Sequence, residues 1–256
     1  MLKTICKRKQ MRWCIPFAVL SLITVFSAGS PSAAVIQPLT ERDVDVVWST
    51  SDDQRQEIYY ANKTEGLWTE PVRITDDYYD NMYPVIDRDS SGRRWVFWSA
   101  YSNGSMELRY TTGENGNWAE GETLAAEMTT NISPSVIIDK DDTVWVVWSA
   151  NDGELDDIYF AVNEKGSWSS PANLHESNSV ADMLPEIEFD GSGRPSVSWR
   201  RLHDGKPTVV TSRLTDNQWS EPEVMETIDT TDQEDGETLE LPSFINNSSM
   251  VFVRIY

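Results

Sequence analysis

WVVWSANDGELDDIYFAVNEKGSWSSP, at residues 145–171, has the same tryptophan spacing as WVFWSAYSNGSMELRYTTGENGNWAEG, fifty residues earlier at 95–121. In both stretches two tryptophans three residues apart are followed by another, twenty residues after the second. All ten tryptophans beyond residue 13 belong to columns of this kind, spaced 50 or 51 residues apart: Trp48, Trp98, Trp148 and Trp199; Trp68, Trp118, Trp168 and Trp219; Trp95 and Trp145. A fixed period of this length is typical of solenoids and propellers.

Each repeat contains four short apolar runs bounded by Gly, Asn, Asp and Ser, the pattern of strands and turns. The second run is apolar on both sides, because Trp95 and Phe97 alternate with Val96 and Trp98. A strand buried on both faces belongs in a sheet between two other sheets. We therefore predict an all-β fold, a β-propeller of about five blades with a repeat length of about 50 residues. Four repeats are recognisable, and a partial last blade follows.

The predicted domain organisation is a leader followed by one propeller domain at 35–256. Its units lie near 44–80, 81–130, 131–181 and 182–228, with the partial unit at 241–256. Residues 1–34 combine five basic residues, an apolar run from Trp13 to Phe26 and small residues ending at Ala34. This pattern predicts a signal peptide cleaved near Ala34, and therefore a periplasmic or extracellular protein. A membrane anchor is the alternative, although the apolar run is shorter than the roughly 20 residues that a spanning helix needs.

The mature chain is strongly acidic. Without the leader, 16 basic residues stand against 42 acidic ones, a net charge of about −26. Nucleic acids and anionic membranes are poor partners for such a chain. Both cysteines, Cys6 and Cys14, lie in the leader, so the mature chain has no disulfide to stabilise it.

The turn and outer strand of each repeat, as in IYFAVNEKGSWSSPANL, resemble a degenerate Asp-box (BNR) repeat of the sialidase superfamily of propellers. The tryptophan is kept at Trp68, Trp118, Trp168 and Trp219, and the following proline at Pro71, Pro171 and Pro222. At the aspartate position stand Lys63, Gly113, Asn163 and Leu214. The resemblance covers residues 44–256. It implies the propeller architecture, with these turns on the face away from the active site.

A sialidase-like exo-glycosidase would need three arginines that clamp a carboxylate, a Tyr–Glu pair and an Asp acid/base. No arginine falls into a repeat column, and Arg200, Arg201, Arg109 and Arg55 are the remaining candidates. The two histidines, His175 and His203, lie in different loops, which argues against a His-based triad or metal site. We predict no catalytic residues, and a divergent glycosidase remains the alternative.

No cofactor is expected. The hairpin that carries Asp152, Glu154 and Asp156 offers hard oxygen ligands, so calcium is a possible exception there. Its spacing does not match a complete EF-hand loop.

Binding residues concentrate on loops carried by rigid scaffolds, and propeller loops gather on one face around the central channel. The predicted candidates for ligand binding lie on these loops: Asn81, Tyr83, Tyr101, Asn131, Asp182, Arg200 and Arg201. Asn81, Asn131 and Asp182 form a repeat column, for which a turn residue bonded to its own backbone is the alternative. Tyrosine beside Asp and Asn is a combination of side chains that binds sugars, through ring stacking and hydrogen bonds to hydroxyl groups. The sequence thus favours a non-catalytic binding module for a glycan or protein ligand, with a structural or assembly propeller as a further alternative.

The C-terminal end predicts a strand pair, LPSFI and MVFVRIY, whose outer edge has no further strand to cover it. Pairing with residues 35–40 would close the ring within one chain. Self-association through this edge strand, or sequence missing downstream, would satisfy the edge equally.

Overall fold

The computed structural model describes residues 42–51, 54–114, 116–176, 178–203, 206–225, 242–245, 248 and 250–256. The predicted signal peptide, residues 35–40 and the acidic stretch 229–240 lie outside these ranges, as do the side chains of 202–207. Within the described part of the chain, no helix is long and apolar enough to span a bilayer.

In the described residues, twenty β-strands account for nearly all of the regular structure. The first repeat contains Val44–Ser51 (β1), Gln56–Thr64 (β2), Leu67–Trp68 (β3) and Val72–Arg73 (β4). The second contains Asp80–Arg88 (β5), Arg94–Ser102 (β6), Ser105–Glu114 (β7), Asn117–Trp118 (β8) and Glu122–Ala125 (β9). The third contains Thr130–Ile138 (β10), Val144–Asn151 (β11), Asp156–Glu164 (β12), Ser167–Trp168 (β13) and Ala172–Asn173 (β14). The fourth contains Asp182–Phe189 (β15), Pro195–His203 (β16), Lys206–Thr215 (β17), Gln218–Trp219 (β18) and Glu223–Val224 (β19). A short 3-10 helix, Ser243–Ile245, and the strand Met250–Ile255 (β20) follow.

These strands form four antiparallel sheets, one for each repeat, and the predicted propeller class is confirmed. In the second, third and fourth sheets the inner strands β5, β10 and β15 come from the start of the same repeat. The first sheet takes its inner strand, β20, from the far end of the sequence, and β20 pairs with β1 from Ser49–Met250 to Val44–Ile255.

Two details of the predicted partial last blade are corrected. LPSFI was expected to be a strand, but Ser243–Ile245 is a 3-10 helix, and its Ile245 packs against the first sheet beside Trp48. MVFVRIY was expected to lie beside it with an open edge. Its strand β20 instead pairs with β1. The edge of β1 therefore makes the hydrogen bonds to this strand that residues 35–40 were predicted to make.

Successive sheets pack face to face through their apolar side chains. The tryptophans of the first column, Trp48, Trp98, Trp148 and Trp199, are buried, at 0–2% exposure, whereas those of the second column are half-buried. Trp98 packs on the first sheet, Trp148 on the second and Trp199 on the third. Each of these tryptophans therefore joins its own sheet to the preceding one.

The contact between the first and fourth sheets differs from the other three. Strands of sheets one and two, two and three, and three and four pack closely, but no strand pair between sheets four and one has a comparable contact in the described ranges. The side of the fourth sheet that would face a next sheet is polar. It carries Glu186 and Ser198, where the second sheet has the buried pair Val85 and Phe97.

Each inner strand of the second, third and fourth sheets contains a β-bulge just before its proline. The residues at these bulges are Tyr83, Ser133 and Leu184, with φ of 55°, 54° and 56°. A left-handed conformation is rare for a non-glycine residue and is disfavoured before proline. Its recurrence in three strands shows that the bulge is part of the repeat.

The connections between strands form two sets, one at each end of the sheets. The connections from second to third strands, and from outer strands to the next inner strand, lie together on what we call the loop face. Their described residues are 54–56, 102–105 and 151–156, with 74–80, 125–130, 174–176 and 178–182. The opposite, turn face carries two-residue turns such as Glu65-Gly66, with φ of 52° and 79°. These values fit a type I′ hairpin, which matches the twist of its strands. The Asp-box assignment of these turns stays a prediction.

Candidate ligand-binding face

The loop face is held together by hydrogen bonds between neighbouring repeats. Thr129, in the connection to the third sheet, donates its backbone N–H to Asn151 O at 2.8 Å and accepts the Met106 N–H at 3.3 Å. Arg55 donates from Nη1 to Asp77 O at 3.2 Å. The predicted gathering of both sets of connections on one face is thus present in the described repeats.

Asn81 and Asn131, two of the predicted ligand-binding residues, are buried at 0% exposure. Asn81 Oδ1 accepts the indole N–H of Trp98 at 2.7 Å, and Asn131 Oδ1 accepts that of Trp148 at 2.9 Å. Their amide groups donate to Asp77 Oδ1 and Met106 O, both at 2.9 Å. In this structure the column therefore fixes the central tryptophans and the loops above them.

Asp182, the third member of that column, has different partners. Arg201 binds it with two parallel hydrogen bonds of 2.8 Å, from Nε to Oδ1 and from Nη2 to Oδ2. Asn178 Nδ2 donates to Oδ2 at 3.0 Å, and His175 Nε2 lies 3.2 Å from the same oxygen. Burial favours the neutral acid, but the bonds from Arg201, His175 and Asn178 outweigh it, so the pKa of Asp182 is lowered.

His175, for which no catalytic or metal-binding role was predicted, lies over Trp199 with ring centroids 5.3 Å apart. Its Nδ1 is 2.8 Å from Glu176 O. The contact with Asp182 raises the pKa of His175 above its ordinary value, while burial and the neighbouring Arg201 oppose the change. A sequence signal for this cluster exists. The fourth repeat has Asp182 where the column has Asn, Arg201 where it has Ala100 and Ala150, and His175 where it has Thr75 and Ala125.

Arg200 and Arg201 point to opposite sides of the fourth sheet, because consecutive residues of a strand alternate between faces. Arg201 faces Asp182, whereas Arg200 shares the outward side with Val209, its partner in β17. Arg109 donates to Gly121 O at 2.6 Å in the second sheet. The arginines proposed for a carboxylate clamp therefore belong to different sheets and make separate contacts.

The possible calcium ligands lie in the β11–β12 hairpin. Asp152 Oδ1 accepts the backbone N–H of Glu154 at 3.1 Å, as in a turn stabilised by its own side chain. Asp156 begins β12 opposite Asn151. Across the described residues, no group of three or more His, Cys, Asp or Glu side chains is arranged to hold a metal ion.

Tyr83 and Tyr101 lie at one end of the second sheet and are exposed at 39% and 43%. Tyr78, which precedes β5, is exposed at 61%. Tyr101 is paired with Asp80, so these two side chains share one side of the sheet. We call Tyr78, Tyr79, Tyr83 and Tyr101 the tyrosine platform. No other repeat has tyrosines at these positions, where the third has Met128, Thr129, Ser133 and Asn151.

The base of the platform is rigid. Tyr78 and Tyr79 stack with centroids 4.2 Å apart, and the Tyr78 hydroxyl donates to that of Tyr79 at 2.8 Å. The Arg109 guanidinium lies 4.7 Å from the Tyr79 ring centroid, a cation–π contact from below. The hydrogen bond with Tyr78, burial and Glu107 together raise the pKa of Tyr79 to about 12. The outer ring, Tyr78, is therefore held in place with one face toward solvent.

Comparison with known proteins identifies the fold but no family. No protein-family model matches the chain, and no curated protein sequence matches it. A protein of unknown function from Dyadobacter fermentans superposes with a TM-score of 0.54 at 12% identity, over 72% of this chain and 66% of that protein. A polysaccharide lyase of family PL25, an ulvan lyase, gives a TM-score of 0.54 at 10% identity, over 70% of this chain and 55% of the lyase.

A sialidase described as Hadza microbial also matches, at 10% identity over 66% of this chain and 45% of the sialidase. Its TM-score of 0.46 is too low for any further argument. At such identities likeness concerns the fold alone, and at that level the propeller resemblance seen in the sequence is confirmed. The chain spans less than two thirds of the length of the first two structures.

Proposed function

We propose that the mature chain is an exported, non-catalytic propeller that binds a glycan through the tyrosine platform on its loop face. One observation carries the proposal. All the tyrosines more than one-third exposed in the described part of the chain, Tyr78, Tyr83 and Tyr101, lie at the same end of the same sheet. Scattered exposed apolar residues need no explanation, but exposed aromatic residues concentrated at one end of one sheet mark a candidate binding surface.

The chemistry of these side chains suits a saccharide. A tyrosine ring offers an apolar face to the C–H side of a sugar and a hydroxyl for hydrogen bonding. Carboxylates of Asp77 and Asp80 lie beside the rings and accept bonds from sugar hydroxyls. A few polar groups around an aromatic surface are what fixes a ligand's orientation. The shared fold with a polysaccharide lyase supports a carbohydrate ligand.

The buried acids of the loop face favour binding over catalysis. Glu57, at 1% exposure, bonds Arg73 at 2.8 Å and also accepts the Thr75 hydroxyl, while burial raises the pKa of its carboxyl. Asp182 is fully buried under Arg201. A glycosidase needs two carboxyl groups that reach the glycosidic bond from either side. These two acids serve the scaffold instead.

Two measurements test the proposal together. The mature chain should bind oligosaccharides on a glycan array and should not hydrolyse a fluorogenic sialoside. Tyr78→Ala with Tyr101→Ala should weaken the strongest array binding at least tenfold, about 1.4 kcal/mol. Leu67→Ala is the matched control, because Leu67 is 76% exposed on the turn face. It should leave binding unchanged.

Three outcomes would contradict the proposal. Turnover of the sialoside by the mature chain would identify a glycosidase. Array binding that survives loss of both tyrosines would place the site elsewhere. Binding of a protein, with none to any glycan, would identify a protein-binding module.

A further inference from the structure

The tyrosine platform lies among carboxylates. Asp77 directly precedes Tyr78 in the chain, and Asp80 is paired with Tyr101 across the sheet. Asp76 is exposed, with 88% of its side chain accessible. Glu107 Oε1 lies 3.5 Å from the Tyr79 hydroxyl. Four acids therefore lie on the connection and strands that carry the platform.

The cations near the platform are committed to the protein itself. Arg109 donates to Gly121 O and Thr123 Oγ1, and its Nη1 lies 3.6 Å from Glu107 Oε2. Its side chain is 14% exposed. The other two guanidinium groups lie on the first sheet. Arg73 is held between Glu57 and Asp76, at 2.8 and 3.0 Å, and Arg55 donates to Asp77 O at 3.2 Å.

The local charge sets which sugar the platform accepts. With Glu57 included, this region has five carboxylates and three guanidinium groups. The net negative charge of the mature chain adds to this local excess of negative charge. A uronate or sialate docked on Tyr78 would place its carboxylate beside Asp77 and Asp80, where the neighbouring exposed guanidinium, Arg55, already donates to the Asp77 carbonyl. Like charges at close range lower affinity. Neutral sugar hydroxyls, in contrast, donate to these carboxylates.

We infer that the tyrosine platform selects uncharged saccharides over acidic ones. The inference rests on the proposed function and names the ligand class of the same site. The inferred ligands therefore differ from the acidic sugars that the sialidase resemblance implies.

Matched sugar pairs test the inference. Titration calorimetry should compare a galactose-terminated oligosaccharide with its sialylated form, and a glucose-terminated oligosaccharide with its glucuronate counterpart. At low salt each neutral sugar should bind at least tenfold more tightly than its acidic partner. The difference should shrink at high salt, because exposed charges are screened.

A charge variant isolates the cause. Asp76→Asn should raise affinity for the acidic sugars at least threefold and leave the neutral ones within twofold, because Asp76 is 88% exposed and contacts no ring. Asp141→Asn removes the same charge on the turn face and serves as control. Its effect on the acidic sugars should be smaller than that of the platform variant.

The outcomes separate the two claims. Acidic sugars that bind as tightly as neutral ones at low salt, or no response to the platform variant, would overturn the selectivity while glycan binding stands. Absence of binding to every sugar would overturn the proposed function and the selectivity with it.

Discussion

At the scale of single residues, the fourth repeat shows how a repeated position acquires new chemistry. Asn81 and Asn131 hold an indole N–H, whereas Asp182 holds Arg201 and His175. The indole of Trp199 is buried beside this cluster, under the ring of His175. In the fourth repeat, the Asp182 carboxylate bound by Arg201 thus stands where the second and third repeats have an asparagine amide that binds a tryptophan.

The His175–Asp182 contact predicts a pH dependence of stability. The pKa of His175 is raised in the folded chain, so its contribution is full below the ordinary value of about 6.5 and is lost as pH rises through the folded pKa. Asp182 has a lowered pKa, so its contribution is lost only as pH falls below about 3.9. Arg201, which Asp182 and Asp157 stabilise in its charged form, keeps its charge between these limits.

The denaturant midpoint of unfolding should therefore decrease as pH is raised from 6 to 8.5, and His175→Gln should remove most of that decrease. His203→Gln is the control, since His203 is the other histidine of the sequence. A pH profile that is identical in the His175 variant and the unaltered chain would contradict the prediction.

The sequence located these residues without revealing their roles. The Asn81 column was predicted on the loop face, but its bond to Trp98 depends on which strands pair and in what register. The two residues are seventeen positions apart and meet only across β5 and β6. Tyr78 was not among the predicted residues, because its stacking on Tyr79, above Arg109, is a property of the folded connection.

At the scale of elements, β20 is where local pattern and structure differ most. MVFVRI has the alternating apolar residues of a strand, and that much was predictable. Its partner was not, because strand pairing over such a separation leaves no local signature. Phe252 shows the result. It is paired with Val47 of β1 and packs between the first and second sheets.

Phe252→Ala should destabilise the chain by about 3 kcal/mol, since it leaves a cavity between two sheets. Val251→Ala is the control on the opposite side of β20, where the side chain is 41% exposed. It should cost less than about 1 kcal/mol. Equal costs in urea unfolding would show that β20 does not pack as described.

At the scale of the whole molecule, the fourth sheet resembles the polar terminal repeat of a solenoid. Its outward side has Glu186, Glu188 and Ser198, and both glutamates are exposed. The third tryptophan column also ends before this sheet. The fourth repeat has Ser196 at the position of Trp95 and Trp145. The missing tryptophan was visible in the sequence, but its meaning required knowing which side of the strand meets the next sheet.

Glu186→Val with Ser198→Phe would recreate the Val85–Phe97 pair of the second sheet. If this side faces water, the variant exposes an apolar patch, so sedimentation should show self-association and the free energy of unfolding should not rise. Glu186→Gln with Ser198→Thr, which keeps the surface polar, should stay at the mass of the unaltered chain. A monomeric variant stabilised by more than about 1 kcal/mol would show that another element covers this side.

The pairing of Ser49 with Met250 also has a consequence for biosynthesis. A ribosome delivers β1 long before it delivers β20, so the first sheet lacks its innermost strand until translation of residues 250–255 is finished. The second, third and fourth sheets each receive all their strands from one repeat and carry no such delay. A nascent chain in this condition keeps the first sheet incomplete until β20 has been synthesised, whereas the other three sheets can form as their repeats emerge.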